Sequence, residues 1–420
     1  MRANVCRTTC VAVALFIAVA IAVSMSSITA GQVPSGPAGM AFYVPPSPLP
    51  PAEHGSVIWA RAAAAEVSLA SAGRNLLVLY QSRTLAGAPV AVSGTLSIPN
   101  GTPPAAGWPL ITWTHGTTGL SPACAPSLDT PGSTEHYYLG PSRSRLDRFV
   151  QQGYAVAFSD FQGLGVTGGS IHPFLQGEAE AWGALDIMRA ARQIDPNIGT
   201  RYVVMGHSEG GQADLFTARF GPSYVPELTL LGNIAFAPAS DMGGRIQELT
   251  TASQASGALV YAMYFLQSVA STHPDIDLGR ILTPQALAKL AQTRQECVSP
   301  SLFRGYWATA VPKDQFLPGA DLSAILELAT ANDPGGLHIA APILIMQGGA
   351  DVTVPPRTTD AVVRTLCANG NEVLYRVFPE ADHETIVQQG NDDAVAWVRA
   401  RFMGEPATSN CAALPSAATR

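Results

Sequence analysis

Three residue types fall along this chain in an order that suits acyl transfer: a serine on a glycine-flanked turn, then an aspartate, then a histidine. Gly206-His207-Ser208-Glu209-Gly210 follows the apolar run 202–205 and precedes a helical pattern over 211–219. A serine between a buried strand and a helix is the setting of a GxSxG nucleophile turn, whose glycines leave room beside a backbone held in a strained conformation. By letters alone the pattern is weak, because 39 glycines in 420 residues supply it readily by chance. Its flanking elements and its partners give it weight. A serine hydroxyl attacks poorly until a base takes its proton, and the base needs a third group to orient it. Asp351 fits the third role, since it follows the apolar run 343–346 and the turn Gly348-Gly349-Ala350 and precedes Pro355. The bland reading of Asp351 is a turn or helix-cap residue. His383 ends the loop Pro379-Glu380-Ala381-Asp382-His383 after the apolar run 373–378, and no other histidine follows Asp351. Asp382 competes with Asp351, but a side chain adjacent in sequence points away from the imidazole.

The reaction also needs donors for a developing oxyanion. The backbone N–H of Glu209, at the start of the helix, is one candidate. The turn Trp113-Thr114-His115-Gly116-Thr117-Thr118-Gly119 supplies the other, assigned to Thr117 with Gly116 in reserve. His115 is expected to brace that loop. Asp160, in Asp160-Phe161-Gln162-Gly163-Leu164-Gly165, is expected to tie loop backbone together.

The elements that must position these residues follow from periodicity. Short apolar runs at 76–81, 90–98, 110–113, 154–158, 202–205, 228–236, 343–346 and 373–378 read as strands, and 178–193, 211–219, 358–367 and 392–402 as helices. The first runs suggest a meander and the later ones alternate strand with helix. That predicts an α/β fold, a mostly parallel sheet covered on both faces, in an α/β-hydrolase-like layout. About 100 residues between Ala237 and Ile343 break the rhythm with helical patterns such as 258–269 and 284–292. A structureless loop of that length does not fit a compact domain, so an inserted helical cap over 241–338 is expected, between core segments 31–240 and 339–420. Its apolar run 257–266 is either a buried helix of the insert or a lid over the serine. Residues 31 to about 55 are rich in Pro and Gly, with Phe-Tyr-Val-Pro-Pro-Ser-Pro-Leu-Pro-Pro over 42–51 at their centre. They cannot form a helix or an inner strand, so an extended arm or a flexible lead is expected, and the aromatic pair suggests an arm that docks.

Composition excludes other classes. Charged residues are 13% and hydrophobic ones 47%, which marks a folded globular chain. The net charge of −7, with no run of Lys or Arg, gives nucleic acid nothing to bind. Arg2 and Arg7 precede an apolar run over 11–23 and small residues up to Ala30. Such a run is too short to span a bilayer but suits an export signal over residues 1–30, cleaved after Ala30, with an uncleaved anchor as the alternative. Export removes Cys6 and Cys10 and leaves Cys124, Cys297, Cys367 and Cys411 in an oxidising compartment, where four cysteines allow three pairings. With no CxxC and no His/Cys cluster, neither a metal nor an organic cofactor is implied.

With these residues placed, the chain resembles the secretory lipase family, of the fungal lipase A type with bacterial relatives. The resemblance rests on the 42–51 arm, Trp113 to Gly119, Cys124-Ala125-Pro126-Ser127, Asp160 to Gly165, Gly206 to Gly211, Gly349-Ala350-Asp351 and His383. It implies a cap inserted before the acid and disulfides joining Cys124 with Cys297 and Cys367 with Cys411. The leading expectation is a secreted serine hydrolase for triacylglycerols or other lipid esters, acting as a monomer, with a lipid–water interface as a candidate partner. An acyltransferase, a peptidase on the same triad, or a binding protein that kept the fold are the alternatives.

Overall fold

Successive residues of the central strands belong to opposite faces of one sheet, as a pleat of period two requires. In the computed structural model, which describes residues 33–169 and 171–414, nine strands form that sheet. They are β1 (Val57–Ala62), β2 (Ala72–Arg83), β3 (Pro89–Pro99), β4 (Trp108–Thr114), β5 (Ala155–Ser159), β6 (Ile198–His207), β7 (Thr229–Phe236), β8 (Ile343–Gly348) and β9 (Val373–Phe378). Their order is β1-β2-β3-β5-β4-β6-β7-β8-β9. β1, β2 and β3 form an antiparallel meander, β3 meets β5 antiparallel, and the remaining pairs are parallel.

Both faces are covered. Ile111, Trp113, Val203, Met205, Phe236 and Met346 pack on one side against α1 (His136–Gln151), and Leu110, Tyr202 and Val204 pack on the other against α2 (Gly177–Ile194). Ala235, Ile343 and Ile345 continue that second side against α3 (Glu209–Tyr224). Each buried Val, Leu, Ile, Phe or Met among them contributes about 1.5–3 kcal/mol by leaving water.

Between β7 and β8 the chain makes α4 (Met242–Leu249), α5 (Ala258–Thr272), α6 (Pro284–Thr293), α7 (Val298–Phe303), α8 (Gly305–Thr309) and α9 (Ser323–Ala331). These helices share one apolar cluster built on Leu259, Met263, Phe265, Leu290, Trp307 and Ile325, joined by Phe174 and Leu175 from the sheet side. The apolar run 257–266 is therefore the buried spine of the insert. After β8 come α10 (Pro356–Ala368), α11 (Thr385–Gln389) and α12 (Asn391–Met403).

All eight expected strands are present, with ends shifted by at most four residues. Three elements outside the insert carried no readable signal, the five-residue α11 among them. β1 pairs only with β2 and is mostly half-exposed, so it lacks an apolar run. α1 contains Pro141, a residue that reads as a helix break. The 42–51 arm docks as expected: Phe42 and Tyr43 are buried, Tyr43 Oη meets Ser127 Oγ at 2.9 Å, and Trp59 Nε1 donates to the Phe42 carbonyl. Disulfides join Cys124 to Cys297 and Cys367 to Cys411. The expected export signal, with Cys6, Cys10 and the Ala30 cleavage point, lies outside the described residues. Among the described residues no helix is long and apolar enough to cross a membrane.

Candidate active site

Ser208 stands at the carboxyl end of β6 with φ 59° and ψ −119°, a conformation few L-residues adopt. The surroundings hold it there. A Cβ on Gly206 would lie 2.0 Å from the Gly210 carbonyl, and one on Gly210 would lie 2.1 Å from the Thr114 carbonyl. Both glycines are thus required by close approach of backbone. The Ser208 N–H donates to the Phe236 carbonyl and its own carbonyl accepts from Ala239, at 2.9 Å each, so β7 and the chain after it clamp the turn.

Three side chains meet at this point. His383 Nε2 lies 2.9 Å from Ser208 Oγ, and His383 Nδ1 lies 2.7 Å from Asp351 Oδ2. A carboxylate only accepts, so Nδ1 carries the proton and the Nε2 lone pair faces the serine hydroxyl. Asp351 is fixed in turn: its Oδ1 accepts from the Thr353 and Val354 N–H groups at 2.8 Å, and Gln347 Nε2 donates to Oδ2 at 3.2 Å. All three groups are buried, at 8%, 3% and 9% exposure for Ser208, Asp351 and His383. Asp382 accepts from the Thr385 N–H at 2.8 Å and caps its own loop, away from the imidazole.

Two residues without an expected role link the loops. His207 Nε2 donates to the His383 carbonyl at 2.8 Å, and its Nδ1 faces Tyr138 Oη at 3.4 Å. Tyr138 Oη accepts the Gly116 N–H at 2.6 Å. Burial, then the neighbouring His383, holds His207 well below the usual histidine range, so it serves as a neutral donor. A hydrogen-bonded chain therefore runs from the loop after β4 to the histidine loop. It also commits the Gly116 N–H to Tyr138. His207 was visible as the variable residue of the elbow, whereas Tyr138 lies on the helix that Pro141 disguises.

Thr117 and Ser208 line one cleft together with Phe174, Leu175, Tyr261 and Val354. A larger cleft, bounded by Gln247, Asp333 and Arg357, does not include the serine. Proximity to Ser208, not size, selects the first. The Glu209 N–H opens α3, where the first amides have no partner within the helix. The insert is tied to the Thr117 loop at three points: the Cys124–Cys297 disulfide, a bridge between Gly119 and Cys297, and a 2.8 Å bond from the Val298 N–H to the Thr118 carbonyl.

The two supporting residues behave as expected. His115 is fully buried and bonds the Gly116 carbonyl at 2.7 Å. Asp160 accepts from the Ser127 N–H at 2.8 Å and from the Ser93 hydroxyl at 2.6 Å. Burial pushes the Asp160 carboxyl up to about 6 against these bonds, which pull it down. The Glu209 side chain points away from the cleft into a buried set with His172 and Glu180, whose donor atoms lie within 4.8 Å of one another. His172 Nε2 lies 2.6 Å from Glu209 Oε1, and the Gln162 carbonyl holds Nδ1 at 2.9 Å. Burial, then the charge of Glu209, raises the Glu180 carboxyl well above its usual range. A shared proton among these groups removes the charge repulsion that a second carboxylate would bring.

A family model described as secretory lipase matches residues 142–410. A secreted triacylglycerol lipase of Malassezia globosa is 26% identical over 308 residues, which cover 69% of this chain and 64%, less than two thirds, of that protein. A probable inactive lipase of Mycobacterium tuberculosis is 23% identical over 399 residues, covering 88% of this chain and 83% of that one. Among solved structures, Candida antarctica lipase A in its closed state superposes with a TM-score of 0.71 at 20% identity, covering 85% and 84% of the two chains. The rice cell wall degrading esterase LipA of Xanthomonas oryzae follows at 0.66 and 18% identity, covering 83% and 98%. At these identities the superpositions speak for a shared α/β-hydrolase-like fold.

Proposed function

We propose that this chain, which belongs to the secretory lipase family, is an exported serine hydrolase of carboxylic esters, lipid esters foremost, acting through an acyl-enzyme. The observation that carries the proposal is the continuous hydrogen-bonded line from Asp351 through His383 to Ser208, at 2.7 and 2.9 Å. In this reading Ser208 Oγ bonds to the ester carbonyl carbon as His383 Nε2 takes its proton. Asp351 stabilises the imidazolium through Nδ1–H. The N–H groups of Glu209 and Thr117 receive the oxyanion, the alcohol leaves with the proton from Nε2, and water repeats the sequence to release the acid. Residues 241–338 act as the cap that shapes the acyl pocket, and one copy of the chain carries every group the cycle uses. No step requires a metal or an organic cofactor.

One observation favours a second reading, a binding protein without turnover: the likeness to a probable inactive lipase. The intact hydrogen-bonded line opposes it. Ser208→Ala should abolish hydrolysis of p-nitrophenyl esters, and turnover at the wild-type rate would remove the assignment. Ester substrates set against amides, with and without acceptor alcohols, separate hydrolase from peptidase and acyltransferase. An ester series from acetyl to stearoyl, with and without an interface, locates the preferred acyl length.

A further inference from the structure

The cleft beside Ser208 is lined mainly by apolar side chains, yet it holds a cation. Arg245, on α4, lines it together with Ser240, Met242, Ala258 and Tyr261. The Arg245 Nη2 donates to the Thr353 carbonyl at 2.7 Å, which places the guanidinium at the wall formed by Thr353 and Val354. Glu248, one turn along the same helix, pairs with Arg357 at 3.7 Å rather than with Arg245. Among the described residues Arg245 takes part in no ion pair within 4.0 Å. Burial, then the like charge of Arg357, holds it below the usual arginine range, against which Glu248, Asp241 and Asp351 act only at longer range. Asp241 caps the Gly244 N–H, while Asp351 is engaged by His383 and two backbone N–H groups, so neither is left to neutralise the cation.

Ser240 supplies a second, independent observation. It is 9% exposed, and its Oγ is buried with no hydrogen-bond partner. The neighbouring Ala239 N–H bonds the Ser208 carbonyl, which sets Ser240 one residue from the backbone that clamps the nucleophile. An alkyl chain filling this cleft would strip water from a guanidinium with one bonded N–H group out of about five, and would leave the buried Ser240 hydroxyl without a partner. A carboxylate would satisfy both, since a guanidinium fork grips two carboxylate oxygens and a serine hydroxyl can donate to one of them.

We propose that the cleft recognises esters that carry a carboxylate a few bonds from the scissile carbonyl, docked on Arg245 and Ser240. The inference rests on the ester-hydrolase reading above and narrows its substrate. The test uses the full chain with its disulfides intact and two substrate pairs. In the first the carboxylate sits on the acyl arm, mono-p-nitrophenyl glutarate against p-nitrophenyl hexanoate. In the second it sits on the alcohol arm, O-butyrylglycolate against propyl butyrate. For one of the pairs, wild-type kcat/KM should favour the carboxylate about tenfold or more, as expected for a hydrogen bond to a charged group. Arg245→Gln should bring that ratio to about one or below. Ser240→Ala should lower it roughly threefold, in line with one neutral donor. Arg245→Lys keeps the charge and loses the fork, so a lowered ratio there supports the proposal in its place if the glutamine variant does not fold. A wild-type preference for the neutral ester in both pairs overturns the proposal, as does an equal loss on both members of a pair in the arginine variants, which would leave Arg245 as a tether for the Thr353 wall. Turnover of neutral esters alone removes only this inference. Absence of all ester turnover removes the hydrolase reading and this inference with it.

Discussion

The serine elbow and the helical insert above it are built by opposite means. At the elbow, backbone approaches backbone so closely that Gly206 and Gly210 admit no side chain, and Ser208 is held at positive φ by bonds from β7 and the segment after it. In the insert, helices as short as five residues are held by an apolar cluster around Phe265 and Trp307. Close backbone contact dictates residue identity. An apolar cluster dictates only approximate volume and polarity, and tolerates many solutions. The proposed function thus puts the chemistry in the region with the fewest alternatives, and substrate choice in the region with the most.

The contrast predicts where substitutions strike. Asp351→Asn should leave the elbow folded yet lower kcat by about 10⁴-fold, because the amide favours the wrong imidazole tautomer. Steady-state kinetics beside an unchanged thermal midpoint would show this, and a fall of less than tenfold would mean that another group orients His383.

Of the two disulfides among the described residues, only one joins the two regions. Cys124 and Cys297 are 173 residues apart and Cys367 and Cys411 are 44 apart. The chain-entropy model assigns their loss about 5 and about 4 kcal/mol. Stability should thus fall by similar amounts in Cys124→Ser/Cys297→Ser and in Cys367→Ser/Cys411→Ser. The first pair should also lose kcat, since Cys297 and Val298 bond the loop that carries Thr117. Urea unfolding and kinetics on both double variants check this, and equal activities would show that the insert does not hold the loop.

A smaller effect is expected at Tyr138. Tyr138→Phe leaves the buried Gly116 N–H without its acceptor, a loss of about 1–3 kcal/mol locally, so kcat should fall roughly tenfold with KM little changed. A change in KM alone would place the defect in substrate binding.

Asp160 gives the mildest signature and a pH sign. Burial raises its folded-state carboxyl from the ordinary 3.8 to about 6, so between those values the native state holds a proton that the unfolded chain releases. Its contribution is fully present below about 4 and is lost as pH rises through about 6. The stability of wild type relative to Asp160→Asn should therefore decline from pH 4 to pH 6 and then level off, as urea midpoints would report. A difference that grows with pH over this range would contradict the assignment.

The sheet and the residues expected at the site were legible because each sits in a strong local pattern. Strands β4, β6, β7 and β8 are short apolar runs, and Ser208, Asp351 and His383 each follow an apolar run in chain order. The bonds of His207 and Tyr138 were not legible, since they join residues 22 to 176 positions apart across loops that only the fold brings together. β1 lacked an apolar run and α1 hid behind Pro141. The insert showed its helices but not its polar contacts. That Arg245 stands in the wall beside Ser208 depends on how α4 packs, and no periodicity records it.

The central claim is that Ser208 is a nucleophile activated by His383 and Asp351, and covalent labelling tests it most directly. A fluorophosphonate probe followed by peptide mass spectrometry should give one adduct, on the peptide containing Ser208. The adduct should be absent in Ser208→Ala, and should form at least about 10³-fold more slowly in His383→Ala, where the base is gone. An unlabelled wild-type protein, or an adduct on another residue, would contradict the account.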